Sequence, residues 1–361
     1  TVLEQTWQFL AGCMTLGTAF VAFVHLGTQL NLKWLPPCNW PLLATPLATH
    51  PLVAALLPLN AVWSMQVTLT TFIVTFFLSK AYDYWRISYK LGRSIQGRLQ
   101  DINLMLATHL FRDATGEFTP ESRSVLEDTA RHIRLLHALF WVGIDDSLSL
   151  IRTDRGLRRL VERGLMSERE HYSLTTSGVP HTARHNVVIG WILARTVDAR
   201  AREVLEFGAG TESVFVNNIL MLRAKCNSVP DEAVARMPLA YVHLVQLLVD
   251  SLVVVAPIAL YPQVGSLCVP LSGLLVIFFR GLLNLSKALL DPFGNAFRRQ
   301  SKFSYKQTIL TDALISEVNA ASTRWWRGAE RLPFDTVYTE TERQRYKEVT
   351  LVSHAAATAS S

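Results

Sequence analysis

PLNAVWSMQVTLTTFIVTFFLSKAYDYWRISYKLG, residues 58–92, decides how this chain is read. The stretch is apolar through Leu78 and then turns abruptly aromatic and charged. A long run without a charged side chain suits a bilayer, because a spanning helix takes about 20 apolar residues. The spacing predicts one helix that leaves the membrane near Ser79 and continues into solvent. Pro58 and Asn60 are expected to start it, the proline setting the entry and the asparagine capping it. A helix start at Pro58, Leu59 and Asn60 would then present free backbone N–H groups, which the proline itself lacks, and the positive end of the helix dipole. Converging copies of such an end attract anions without a basic side chain.

Composition agrees with a membrane protein. Half of the 361 residues are hydrophobic and 18% are charged, against about 25% in soluble domains. No Lys, Arg, Asp or Glu occurs from Trp34 to Ser79, and only Asp250 occurs from Met237 to Phe279. The net charge is +6, and of the 35 Lys and Arg only Lys33 falls outside the segments placed on one side of a four-span topology. That asymmetry is the positive-inside pattern. It accounts for the basic balance, so no nucleic-acid partner is expected. The four cysteines are widely spaced, without a CxxC pair or a disulfide framework. The chain starts on Thr, which points to processing, trimming or a longer parent, and nothing there resembles a signal peptide.

In chain order, residues 9–30 read as the first span, with Gly12, Gly17, Ala19 and Ala22 suited to close helix approach. Residues 31–57 carry Pro36, Pro37, Pro41, Pro46 and Pro51 with Trp34 and Trp40, a far-side loop at the membrane interface. Residues 1–79 thus form the first transmembrane pair. Residues 80–236 form a helical block facing solvent. In it Leu99, Ile102, Leu106 and Leu110 recur at helical spacing, Thr119 caps a helix over 121–142, and Ser167–Glu170 is a capping box. Helices at 184–206 and 211–226 are broken by Gly208–Ala209–Gly210. Residues 237–290 hold the third and fourth spans, about 239–261 and 265–286. Asp291–Pro292–Phe293–Gly294 stops the fourth, and residues 291–361 add a last amphipathic helix at 303–327 and a polar tail. The whole is expected to be one cooperative fold, multi-pass in the membrane, with both termini and the 80–236 block on the cytosolic or stromal side.

No enzyme constellation is present: no GxSxG, no Walker loop, no HExxH. His181 and His185 have the spacing of a helical metal pair, but Pro180 precedes them and no third ligand is near, so no metal site is expected. The polar residues within the third span are His243, Gln246 and Asp250. An intramembrane carboxylate is costly and faces protein or water rather than lipid. These residues form either a packing seam between helices or a modulator of a pore.

Several segments resemble the bestrophin family, in order along the chain. SKAYDYWRISYKLG at 79–92 resembles the aromatic segment that follows the family's second helix. MLRAKC at 221–226 resembles its Leu-Arg-x-x-Cys, MPLAYVHLVQ at 237–246 the start of its third span, and LLDPFGN at 289–295 its Asn-Pro-Phe-Gly. Together these cover roughly residues 9–325. The resemblance implies an all-α membrane protein with four transmembrane helices and a cytosolic helical block, assembled as a homopentameric anion channel in the lipid bilayer. Five copies of the second helix would line the pore. The family's apolar neck falls on Ala61, Met65 and Leu69, with Phe72 and Phe76 continuing the same face; ordinary helix packing is the other reading of these five residues. The family's lower aperture falls on Gly210, flanked by Thr211 and Glu212, where glycine offers no gating side chain.

Calcium-gated animal members carry a run of acids after Pro-Phe-Gly. Asn295, Ala296, Phe297, Arg298 and Arg299 stand there instead. A calcium ion needs several oxygen ligands and arginine supplies none, so no calcium clasp is expected and no cofactor is required. The permeant species would be chloride or another monovalent anion, and the resemblance leans to the bacterial, plant and algal members. Two other classes stay open: an effector module or non-conducting scaffold joined to an upstream sensor such as a light-sensing domain, and a secondary transporter, against which stands the lack of an internal repeat.

Overall fold

The computed structural model describes residues 2–29, 51–113, 115–294 and 309–328. In order the helices are α1 (Val2–Gln29), α2 (Pro51–His109), α3 (Pro120–Ile144), α4 (Asp154–Glu162), α5 (Glu168–Thr176), α6 (Arg184–Ala201), α7 (Ala209–Val234), α8 (Leu239–Val264), α9 (Cys268–Leu289) and α10 (Thr311–Gly328). Among the described residues the only strand-like pairings are isolated bridges, Leu110 with Leu205 and Arg112 with Phe118. The protein is therefore all-α. Two compact units divide it, one of residues 1–88 and 234–309, the other of residues 89–233 and 310–361. The division falls within α2, some residues beyond the solvent boundary expected at Lys80.

The first unit is apolar. Among the described residues three stretches are long and apolar enough to cross a membrane, Thr6–Val24, Ala54–His109, which runs on into the other unit, and Leu239–Leu289. The third folds back on itself at Gly265, whose backbone (φ 60°, ψ −136°) is open only to glycine. The sequence places this turn over Tyr261–Gly265; the helix instead carries Pro257 and Pro262 and ends at Val264. Contacts fix the directions of the four helices. Asn60 of α2 bonds to Ala259 and Gln66 to Ser251, while Phe77 lies against Tyr241, so α2 and α8 are antiparallel. Arg280 covers the ring of Phe9, and Gly273 faces Met14, so α1 and α9 are antiparallel as well.

The core of this unit joins Trp63, Val74 and Phe77 of α2 to Val249 and Leu252 of α8 and Phe279 of α9. At Gly17 α1 packs tightly: an added Cβ would stand 3.1 Å from the Cβ of Pro257. Gly12, Ala19 and Ala22, also expected at such contacts, are exposed instead.

The second unit has an apolar core of its own. Leu99, Ile102 and Leu106 of α2 are fully buried, and so are Ile133 and Leu136 of α3. The expected caps form. Thr119 accepts from the Ser122 N–H with Pro120 at the first helical position. Ser167 and Glu170 make the reciprocal capping box at the start of α5. A 3-10 turn over Asp146–Arg152 is crossed by Gly156, where a Cβ would lie 2.1 Å from the Leu150 carbonyl oxygen; only glycine fits. Several helix boundaries differ from the sequence reading, and the last helix, expected from 303, starts at Thr311. α6 stops at Ala201 rather than 206, and residues 202–208 turn through Glu203 (φ 56°) to bring Leu205 beside Leu110. α7 starts at Ala209, so Gly208 and Gly210 flank a helix start, and it runs through Pro230 to Val234, where proline sacrifices one ladder bond without ending the helix.

Candidate pore helix and intramembrane polar seam

The rotation of α2 is fixed by side chains that reach across to α8. Trp63 Nε1 donates to the Leu252 carbonyl at 2.9 Å, Gln66 Nε2 to Ser251 Oγ at 2.6 Å, and Asn60 Nδ2 to the Ala259 carbonyl at 2.7 Å. Asn60 Oδ1 in turn accepts from Gln263 Nε2 at 2.8 Å. A polar group facing hydrocarbon must find a partner within the protein, so these bonds commit one face of the helix to α8. Val74 and Phe77 complete that face and are buried.

The other face packs against no helix among the described residues. Ala61, Met65, Leu69, Phe72 and Phe76 all lie on it and all are exposed, Met65 at 76% and Phe72 at 71%. Spacings of three and four residues put them on one stripe. Ser64, Thr68, Thr71 and Thr75 run alongside. Their hydroxyls donate back to carbonyls one turn earlier, as Thr71 does to Val67 at 2.7 Å and Thr75 to Thr71 at 2.8 Å, so this flank is polar in composition yet satisfied within the helix.

The expected anion-attracting helix start at Pro58, Leu59 and Asn60 is corrected by the structure. α2 begins at Pro51 and Pro58 lies inside it. The N–H groups of Leu59 and Asn60 therefore belong to the intrahelical ladder, and the Asn60 side chain, buried at 7%, is engaged with α8 rather than capping.

Asp250 is not alone. Its carboxylate pairs with Arg280 of α9 at 2.9 Å, and the guanidinium lies over the Phe9 ring of α1 at 3.8 Å. One turn away, Lys287 Nζ donates to Gln246 Oε1 at 2.7 Å. Asp250 and Gln246 thus form a seam joining α8 to α9. His243 is exposed and lies outside it. Sequence reasoning missed Arg280 and Lys287 as partners, although the signal was present: Asp250 and Arg280 each lie 15 residues from Gly265, and an antiparallel hairpin brings equidistant residues together.

In the second unit, Gly210 opens α7 with free space around its Cα, Thr211 is half-buried, and Glu212 is held by Arg200. His185 is buried against Phe140, and burial pushes its pKa down to about 4. Among the described residues no group of three or more His, Cys, Asp and Glu is placed to hold a metal. Asn295–Arg299, the proline-rich loop with Lys33 and Cys38, residues 303–308 and the tail after 328 lie outside the described residues.

Comparison with known families matches residues 60–296 to the one described as Bestrophin, RFP-TM, chloride channel. Several solved structures share the fold. A bacterial bestrophin homolog from Klebsiella pneumoniae is 14% identical, with 90% of this chain and 99% of that chain covered and a TM-score of 0.62. A single-substitution form of the same homolog gives a TM-score of 0.63 at 14% identity, covering 88% and 99%. A further structure, of a point mutant described only as a membrane protein, gives 0.64 at 12% identity, covering 91% and 100%. No curated protein matches the chain.

Proposed function

The chain belongs to the bestrophin family, and from that premise we propose that it is a passive anion channel, a homopentamer whose pore is lined by α2. The observation that carries the proposal is the division of α2 into two faces. One is tied to α8 by Trp63, Gln66 and Asn60, and the other, from Ala61 to Phe76, is exposed and packs against no other helix among the described residues. A membrane helix held in fixed rotation with an apolar stripe turned outward fits a neck built from several copies of itself. Each subunit would cross the bilayer with α1, α2, α8 and α9, both termini on the cytosolic or stromal side.

The chemistry is that of a selective passage, with no covalent step. An apolar constriction favours anions that shed water readily, because it offers no polar groups to replace a tightly held hydration shell. Ala61 widens one end of the stripe, while Phe72 and Phe76 narrow the other. Gly210, Thr211 and Glu212 would border a lower opening without a side-chain gate at Gly210. Asp250, paired with Arg280, would hold the helices that brace α2 rather than meet the ion.

Reversal potential in a planar bilayer tests this reading. With a chloride gradient and a large impermeant cation, the current is expected to reverse at the chloride equilibrium potential and to persist when calcium is chelated. Reversal at the cation potential, or an intact oligomer that carries no current, would refute it.

A further inference from the structure

Lys80 is the first charged side chain after the apolar run of α2, and it is exposed. Its Nζ stands 5.6 Å from the centroid of the Phe76 ring, one turn earlier on the free face. Helical side chains lean toward the helix N-terminus, so the ammonium is carried up against the apolar stripe rather than away from it. The first acid that follows it, Asp83, is paired with Arg86 at 2.9 Å. Among the described residues no acid pairs with Lys80.

We propose that Lys80 is the anion-attracting site of the pore: one ammonium per subunit, gathered as a ring where the apolar neck ends, binding monovalent anions loosely before and after passage. The inference rests on the channel reading and names the side chain that makes it anion-selective. A lysine ammonium is a compact point charge with three donors and no fixed fork, suited to brief contact with a spherical or planar monovalent anion. Contact with an aromatic face holds the cation without neutralising it. Several such charges beside a narrow low-dielectric passage concentrate counter-ions within it. The site also takes over the role that a helix start at Pro58–Asn60 cannot fill, since the N–H groups of Leu59 and Asn60 are spent inside α2.

Single-channel recording of the full chain at low and high salt tests the proposal. At about 20 mM chloride, Lys80→Gln should lower unitary chloride current by roughly twofold or more, and at about 1 M the loss should vanish as the charge is screened. Lys80→Arg should conduct like the wild type. Lys80→Cys should recover current when modified by a cationic thiol reagent and lose it with an anionic one, an opposition that a merely structural role would not produce. A conducting wild type with Lys80→Gln indistinguishable from it at low salt, or a Cys variant that responds alike to both reagents, would overturn this inference and leave the channel reading standing. A wild type that carries no current would overturn both.

Discussion

The two units of this protein satisfy their polar groups in different ways. In the apolar unit, most cross-helix polar contacts are neutral side chains donating to backbone or hydroxyl oxygens, as Trp63, Gln66 and Asn60 do. One ion pair, Asp250–Arg280, crosses from α8 to α9. In the other unit charges are linked in chains. Glu170 accepts two bonds from Arg131 and one contact from His132, and Asp128 and Asp198 share Arg195. The difference follows from the surroundings each surface must meet. Water solvates extra surface charges readily, so a surface that meets water can carry many, whereas each ion in hydrocarbon needs a committed partner. Two histidines, His137 and His185, are nonetheless sealed inside the charge-rich unit. Its weak point is thus protonation, and that of the apolar unit is the loss of a partner.

Gly156→Ala should produce the largest effect. The new Cβ would meet the backbone at 2.1 Å from Leu150 O and 2.5 Å from Ile151 Cα, which no side-chain shift relieves. A loss of about 3 kcal/mol or more is expected, seen as a lower melting temperature in detergent; an unchanged melt would show that the 3-10 turn can move aside.

Acid should separate the units next. Burial holds the His185 pKa down at about 4 and that of His137 at about 3, while unfolded histidine titrates near 6.5. A folded pKa below the unfolded one means stability that is complete above about pH 6.5 and lost as pH falls through the window to the folded value. For His185 the loss by pH 4 is on the order of 3 kcal/mol. Glu170 adds a further loss at lower pH: burial pushes its carboxyl up, but bonds from His132, Arg131 and the Ser167 N–H prevail and hold it well below the usual range. Hydrogen exchange at pH 4.5 against pH 7.5 should therefore show opening of residues 120–201 before the apolar helices. Simultaneous opening would erase the distinction.

Asp250→Asn probes the apolar unit. It leaves the Arg280 guanidinium without its counter-charge between helices, at an expected cost of about 2–3 kcal/mol, below the fully buried range because the pair is partly exposed. Adding Arg280→Gln should restore most of it, and thermal melts of the double mutant would check this. A double mutant no better than the single would place the role of Asp250 elsewhere. Trp63→Phe should have the smallest effect, about 1 kcal/mol for one hydrogen bond to the Leu252 carbonyl with the ring contacts retained. A larger loss in the melt would mean that the bond holds the rotation of α2 and not merely its stability.

Much of this was legible in the sequence because the physics is local. The charge-free run before Lys80, the caps at Thr119 and Ser167, and the glycine at the α8–α9 turn each declare themselves within a few residues. What was misread depends on partners distant in sequence or on a choice between equals. Pro51 and Pro58 both suit a first helical turn, and only the structure shows that the earlier one starts α2 while Asn60 is drawn into bonds with Ala259 and Gln263. The stripe from Ala61 to Phe76 was visible as a stripe, but its exposure was not. Periodicity gives a helix two candidate faces, and it was Trp63, Val74 and Phe77 meeting α8 that chose between them.

The account stands on the free face of α2 lining the ion path, and thiol modification during current recording tests that most directly. Met65→Cys lies on the free face and Val74→Cys on the committed one, with the wild type as control for the native cysteines. A bulky charged thiol reagent applied to the open channel is predicted to change the current through Met65→Cys within the exposure and to leave Val74→Cys at its starting level. Current through Met65→Cys that ignores the reagent, while Val74→Cys responds, would put the pore on the other side of the helix.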